Sequence, residues 1–205
     1  MKTLIFLTLF TLIIHSTNAY CDEILDYKNT TIKIAQQYSY VKEKTNNNDS
    51  PEIDQWLKNV NLGPRQAYCM AYTYSMYLNA SRLIKKENLT LPHKTGRVAY
   101  AWANAKKNPI RYEIITTNEI RLGIKELKPG DMPVWSRSSD ETNFNGHIGL
   151  IIYQIDKEKF YTIEANTQPN STGDQGEGGG VYYKTRLTNQ KSSSFKLIGF
   201  IRIRE

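Results

Sequence analysis

The hydropathy rhythm of this chain changes once, at Pro129-Gly130, and that change restricts the fold to helices and strands segregated along the sequence. Before it, apolar residues recur at helical intervals; after it, they come in short β-branched and aromatic runs bounded by turn formers. Such an order predicts an α+β fold, N-terminal helices packed on a mostly antiparallel sheet. Ile24, Tyr27, Ile32, Ile34, Ala35, Tyr38 and Val41 mark a first helix, closed by the polar run Thr45 to Pro51. Ser50-Pro51-Glu52 reads as an N-cap, a proline at the first helical position and an acidic first turn, opening a helix through Ile53, Trp56, Leu57 and Val60. Beyond Gly63-Pro64 a third helix is predicted from about Gln66, through Cys69, Met70, Thr73, Tyr74, Tyr77 and Leu78, which puts Cys69 in its first turn. A fourth runs from Thr95 to Lys107 and stops at Asn108-Pro109. Strands are predicted over Met132 to Ser136, His147 to Gln154, Phe160 to Thr167, Val181 to Arg186 and Lys196 to Ile203.

A chain of 205 residues suffices for one domain with its own core, so a single unit is expected over 20–205. Residues 1–19 read as a signal peptide: Lys2, an apolar run from Leu4 to Ile14, then the small-residue site Thr17-Asn18-Ala19. The run is too short for the roughly 20 residues that cross a bilayer, so export with cleavage before Tyr20 is expected, to the periplasm or the medium, with no membrane segment left. The formal charge of +7 suits an acidic polymeric partner. Nucleic acid is set aside, because the basic residues are scattered and accompany no zinc-finger, RNP or basic-heptad pattern. Two cysteines are few for a disulfide-held exported domain, and Cys21 is read as a free thiol near the mature terminus. The glycine-rich stretch 173–180 lacks the Lys-Ser/Thr ending of a phosphate loop. Histidine and cysteine spacing makes no metal site, no cofactor is implied, and a monomer is favoured.

The chemistry-bearing residues are few. Cysteine hydrolysis needs a thiolate, and a helix start or an adjacent imidazolium stabilises one. Cys69 is placed for both, although an isolated helical cysteine also fits a small buried hydrophobe. Of the three histidines, His15 lies in the leader and His93 in a proline loop, which leaves His147 as the base, between Gly146 and Gly149. If the strand from His147 pairs with Phe160 to Thr167 through a four-residue turn at Ile155 to Glu158, His147 faces Asn166 and Glu164 lies one diagonal step away. Either side chain then suits the role of steadying the imidazolium. For the oxyanion, the Cys69 amide is a natural donor and Gln66 a candidate second one, equally readable as a plain helix-start residue. Tyr68 and Trp135 are the candidate aromatic walls of a substrate cleft.

Four segments carry a family resemblance. Tyr68-Cys69-Met70-Ala71 is similar to the Trp-Cys-Ala-Ala nucleophile segment of CHAP domains (cysteine, histidine-dependent amidohydrolases and peptidases), and Pro129-Gly130-Asp131 to their Pro-Gly-Asp turn. Gly146-His147-Ile148-Gly149-Leu150-Ile151 resembles their Gly-His-Val-Gly-Ile-Val strand, and Ile163-Glu164-Ala165-Asn166-Thr167 their Ile-Glu-Gly-Asn-Thr, in the same order. Tyr68, Met70 and Ala165 depart from the pattern, which has Trp, Ala and Gly there. The resemblance implies a papain-like variant of the α+β fold, Cys69 as nucleophile, His147 as base, and Glu164 with Asn166 as the orienting or stabilising pair. It also implies an exported peptidoglycan hydrolase cutting the muramoyl-alanine amide or a stem or bridge peptide bond through a thioester. A non-catalytic wall-binding module and a toxin delivered to competing bacteria are the alternative readings.

Overall fold

The structure, a computed structural model, describes residues 26–86, 89–138, 144–169, 178–189, 191–192 and 195–204. The expected leader, the expected start at Tyr20, Cys21 and most of the glycine-rich stretch lie outside the described residues. The fold is α+β, with helices α1 (26–37), α2 (Pro51–Asn59), α3 (Cys69–Leu83), α4 (Val98–Lys107) and α5 (Thr117–Leu122). Ser50 caps α2 as its sequence requires, its hydroxyl accepting from the Ile53 N–H at 3.2 Å.

Helix α3 is the axis of the fold. It is buried on nearly every side, from Cys69 through Tyr77, as befits a helix wrapped by other elements rather than floated on a surface. It starts at Cys69, three residues later than the apolar spacing suggests, because Arg65 takes a left-handed turn (φ 60°) and Tyr68 becomes the N-cap. Helix α4 likewise starts at Val98 rather than Thr95, since the Thr95 hydroxyl accepts from the Arg97 N–H at 3.1 Å and holds that segment out of the helix.

The strands are β1 (Tyr112–Ile115), β2 (Met132–Ser136), β3 (Gly146–Ile148), β4 (Leu150–Gln154), β5 (Lys159–Thr167), β6 (Gly180–Leu187), β7 (Lys191–Ser192) and β8 (Phe195–Ile203). They form two antiparallel sheets: β1-β8-β2-β3, with β7 against β8, and β4-β5-β6. The single strand expected over His147 to Gln154 is therefore two, broken at Gly149, where the chain leaves one sheet for the other. A side chain at Gly149 would put its Cβ 2.6 Å from Glu164 Cγ, so only glycine lets the two strands pass this closely. The β4–β5 hairpin still sets Leu150 opposite Ile163, the register of a four-residue turn; its turn takes one residue more, and a bulge between Ile151 and Tyr153 restores the count.

Two clusters fill the interior. One joins α3 to the inner faces of both sheets through Met70, Ile148, Leu150, Ile163 and Ala165. The other, built from Trp135, Ile151, Phe160, Phe195, Leu197 and Phe200, lies between the sheets. Each buried aromatic contributes roughly 1.5–3 kcal/mol relative to exposure. Asp131, in the Pro-Gly-Asp turn, is fully buried and takes a two-pronged grip from Arg202 of β8, at 2.9 and 2.6 Å, which ties the start of β2 to the last strand.

Candidate active site

Three elements bring three side chains together. Cys69 is the first residue of α3, so its sulfur sits at the end of the helix where unsatisfied N–H groups favour negative charge. It is 4% exposed and opens on a cleft of about 440 Å³. It lies within electrostatic reach of His147, which β3 presents to the same cleft. The His147 Nε2 lies 2.9 Å from Glu164 Oε2 on β5, which leaves Nδ1 as the nitrogen for the thiol.

Glu164 is wholly buried and ionised by its surroundings. Its Oε1 accepts from the Thr162 hydroxyl at 2.6 Å and from Arg186 Nε at 2.8 Å, while Oε2 accepts from Arg186 at 2.5 Å. Burial alone would push this carboxyl up, but the Arg186 guanidinium, with help from His147, holds it well below the usual carboxylate range. Arg186 is itself buried on β6 and lies over the Trp135 ring, 5.1 Å from its centre. For His147, burial opposes the charged form, yet its interactions with Cys69 and Glu164 outweigh it and raise the imidazole above its ordinary value. The imidazole thus holds its proton to higher pH than a free one, between a sulfur on one side and a carboxylate on the other.

Cys69, His147, Asn166 and Gln66 line the same cleft. Glu164 lies beneath it, in contact with the ring. Of the two candidate orienters, then, Glu164 takes the far nitrogen. Asn166 sits in a left-handed bulge of β5 (φ 58°), and its buried Oδ1 has no hydrogen-bond partner among the described residues. The expected pairing of His147 opposite Asn166 does not form, because His147 belongs to the other sheet, opposite Trp135. Neither aromatic wall is a wall. Trp135 is fully buried behind the imidazole, with ring centres 5.6 Å apart, and Tyr68 is fully buried against Trp56 with its hydroxyl on Glu43. Both are too apolar in outline to leave the core for solvent when a core site is within reach.

Arg186 and Thr162 are the functional residues that sequence reasoning missed. Their signal was parity: Phe160, Thr162 and Glu164 share a face, and register puts Arg186 opposite Phe160 and Lys184 opposite Thr162 on that face. A carboxylate and a guanidinium on the inner face of neighbouring strands have to meet.

The arrangement suits nucleophilic acyl transfer: a sulfur beside an imidazole whose orientation is fixed by a buried carboxylate, opening on a cleft. Among the described residues no group of three His, Cys, Asp or Glu is placed to hold a metal ion, and no helix is long and apolar enough to cross a membrane. Comparison with known proteins finds no family model that matches this chain and no curated sequence that matches it.

Proposed function

We propose that this chain is an exported cysteine hydrolase that cleaves an amide bond of peptidoglycan, with a single papain-like catalytic domain of CHAP type. In the mechanism, the Cys69 thiolate attacks the amide carbonyl, and the tetrahedral oxyanion is held by the backbone N–H of Cys69 with the Gln66 side chain as second donor. The His147 imidazolium gives its proton to the leaving nitrogen, the amine departs and a thioester remains. His147, now neutral, takes a proton from water as the water attacks the thioester; the acid is released and the sulfur and imidazole return to their starting forms. Glu164 stays ionised throughout, pinned by Arg186, and steadies the imidazolium without exchanging its proton.

One observation carries the reading: Cys69 at a helix start shares a cleft, and an electrostatic interaction, with a His147 ring whose Nε2 lies 2.9 Å from a buried, arginine-held carboxylate. A buried structural histidine has no need of a thiol on one side and of an ionised acid on the other. The wall as substrate rests on the four CHAP-like segments and on the basic charge of +7, which suits a polyanionic envelope.

Digestion of purified sacculi in reducing buffer, with mass spectrometry of the fragments, is the test. Wild type is expected to release fragments with paired new amine and carboxyl ends, whereas Cys69→Ala releases none but still sediments with the wall. If wild type leaves no new ends, the hydrolase reading fails; if it binds sacculi without cutting them, a wall-binding module takes its place.

A further inference from the structure

Helix α2 presents Glu52, Gln55, Trp56 and Asn59 at helical intervals on one side, and α3 faces them with Asn79 and Arg82 from its last two turns. Asn59 Nδ2 donates to Ser75 Oγ at 2.9 Å and ties the two helices together, so these residues line a groove of about 430 Å³ rather than a flat polar surface. That is the size of a small-ligand site. Nothing in the Cys69–His147 chemistry uses it: Asn79 and Arg82 follow Cys69 on the same helix, about 15–20 Å further along its axis.

The lining restricts the ligand. Its floor is aromatic and rigid: Trp56 is 2% exposed and meets Tyr38 and Tyr72 edge to face, with ring centres 5.5 and 4.9 Å away. Its charges cancel, one carboxylate (Glu52) against one guanidinium (Arg82), which favours neither an anion nor a cation. The other polar groups are the amides of Gln55, Asn59 and Asn79, a side-chain type that both donates and accepts. Gln55 Nε2 donates to Asn59 Oδ1 at 3.1 Å, while the Asn79 amide and the Arg82 guanidinium make no hydrogen bond or ion pair among the described residues. An aromatic floor beneath mixed donors and acceptors, without net charge, matches a sugar ring, which has an apolar C–H face and a rim of hydroxyls. A second hollow, of about 440 Å³, leads towards the reaction centre: it shares Pro51 and Gln55 with the groove and Leu62 with the catalytic cleft, so the three form one furrow along α2.

We propose that the groove between α2 and α3 is a binding site for a neutral oligosaccharide, and that it holds the sugar strand of a polymer whose amide lies in the catalytic cleft. This deepens the hydrolase reading and rests on it for the identity of the polymer; the saccharide site itself stands on the groove.

The probe is the N-acetylglucosamine tetramer, titrated into the full chain carrying Cys69→Ala and followed by the side-chain amide and indole signals in proton–nitrogen correlation spectra. Saturable shifts are expected at Gln55, Asn59, Asn79 and the Trp56 indole, and Asn79→Ala and Arg82→Ala each weaken binding on the order of tenfold. Alanine is the best helix former, so both variants keep α3, and Gln55→Ala repeats the test from α2. No shift at the groove with the tetramer in the millimolar range overturns the site, as does binding that survives all three substitutions, or displacement of the tetramer by polyglutamate, which marks the ligand as an anion. If wild type cuts sacculi while the groove stays silent, the saccharide site falls and the hydrolase stands. If the tetramer fills the groove but sacculi are left intact, the hydrolase reading falls and the saccharide site stands.

Discussion

Replacing Glu164 by Gln removes one charge and almost no volume, which makes it the sharpest probe of the site. The carboxylate accepts four hydrogen bonds, from His147, Thr162 and twice from Arg186. An amide has a single acceptor oxygen, so its NH₂ must face a guanidinium or the imidazole donor, and Arg186 is left as a buried cation against the Trp135 and Phe195 rings. Breaking one partner of a buried pair costs about 3–5 kcal/mol. For a domain of this size that lowers Tm by roughly 6–20 °C. Loss of the acid behind the imidazole also lowers the turnover rate by on the order of 10²- to 10⁴-fold. The assay is the pH dependence of Cys69 alkylation by iodoacetamide, run well below the variant's Tm, beside sacculus digestion. Glu164 helps to raise the His147 pKa, so the imidazolium-dependent part of the alkylation profile moves to lower pH in the variant. Thr162→Val is the control: it removes the 2.6 Å hydrogen bond, costs about 1 kcal/mol and leaves the profile in place. A Glu164→Gln protein with the wild-type profile and turnover would refute the role given to the carboxylate.

Gly149→Ala forces a Cβ to within 2.6 Å of Glu164 Cγ and 3.2 Å of Ile163 O, so activity is expected to fall more than tenfold, with an overpacking cost of about 1–3 kcal/mol by urea unfolding. Stability at the two ends of the pH range has opposite origins. Glu164 is depressed in the folded state, so its contribution is complete above the unfolded carboxyl value near 4.5 and is lost as pH falls towards the folded one. His147 is raised, so its contribution is complete below about 6.5 and lost as pH climbs through the folded value. Urea midpoints from pH 2 to 10 are therefore expected to form a plateau between these limits, with the acid slope shallower in Glu164→Gln.

Much of this could be read directly from the residue order. Local chemistry decides the Ser50-Pro51 cap, the apolar stripes and the turn-bounded strands, and the placement of Cys69 and His147 followed from them. What escaped was tertiary. The β-branched run on either side of Gly149 is continuous in sequence, and nothing local says that its halves belong to different sheets; that depends on Glu164 passing against the glycine. Arg186 was hidden because a charged residue in an alternating strand ordinarily faces water, and only the register with β5 turns it inward. Tyr68 and Trp135 sit next to reactive residues in the chain or across a strand pair, yet adjacency does not say which side of the backbone meets solvent.

The break at Gly149 has a mechanical outcome. The proposed base and its orienter are mounted on separate sheets, His147 on one and Glu164 on the other, with the Trp135 cluster as the filling that fixes their separation. Their 2.9 Å contact is consequently a gauge of how tightly the two halves are closed, and a small swelling of the sandwich disengages the proton machinery while every strand is still paired. Heat or denaturant should silence such a molecule before it melts.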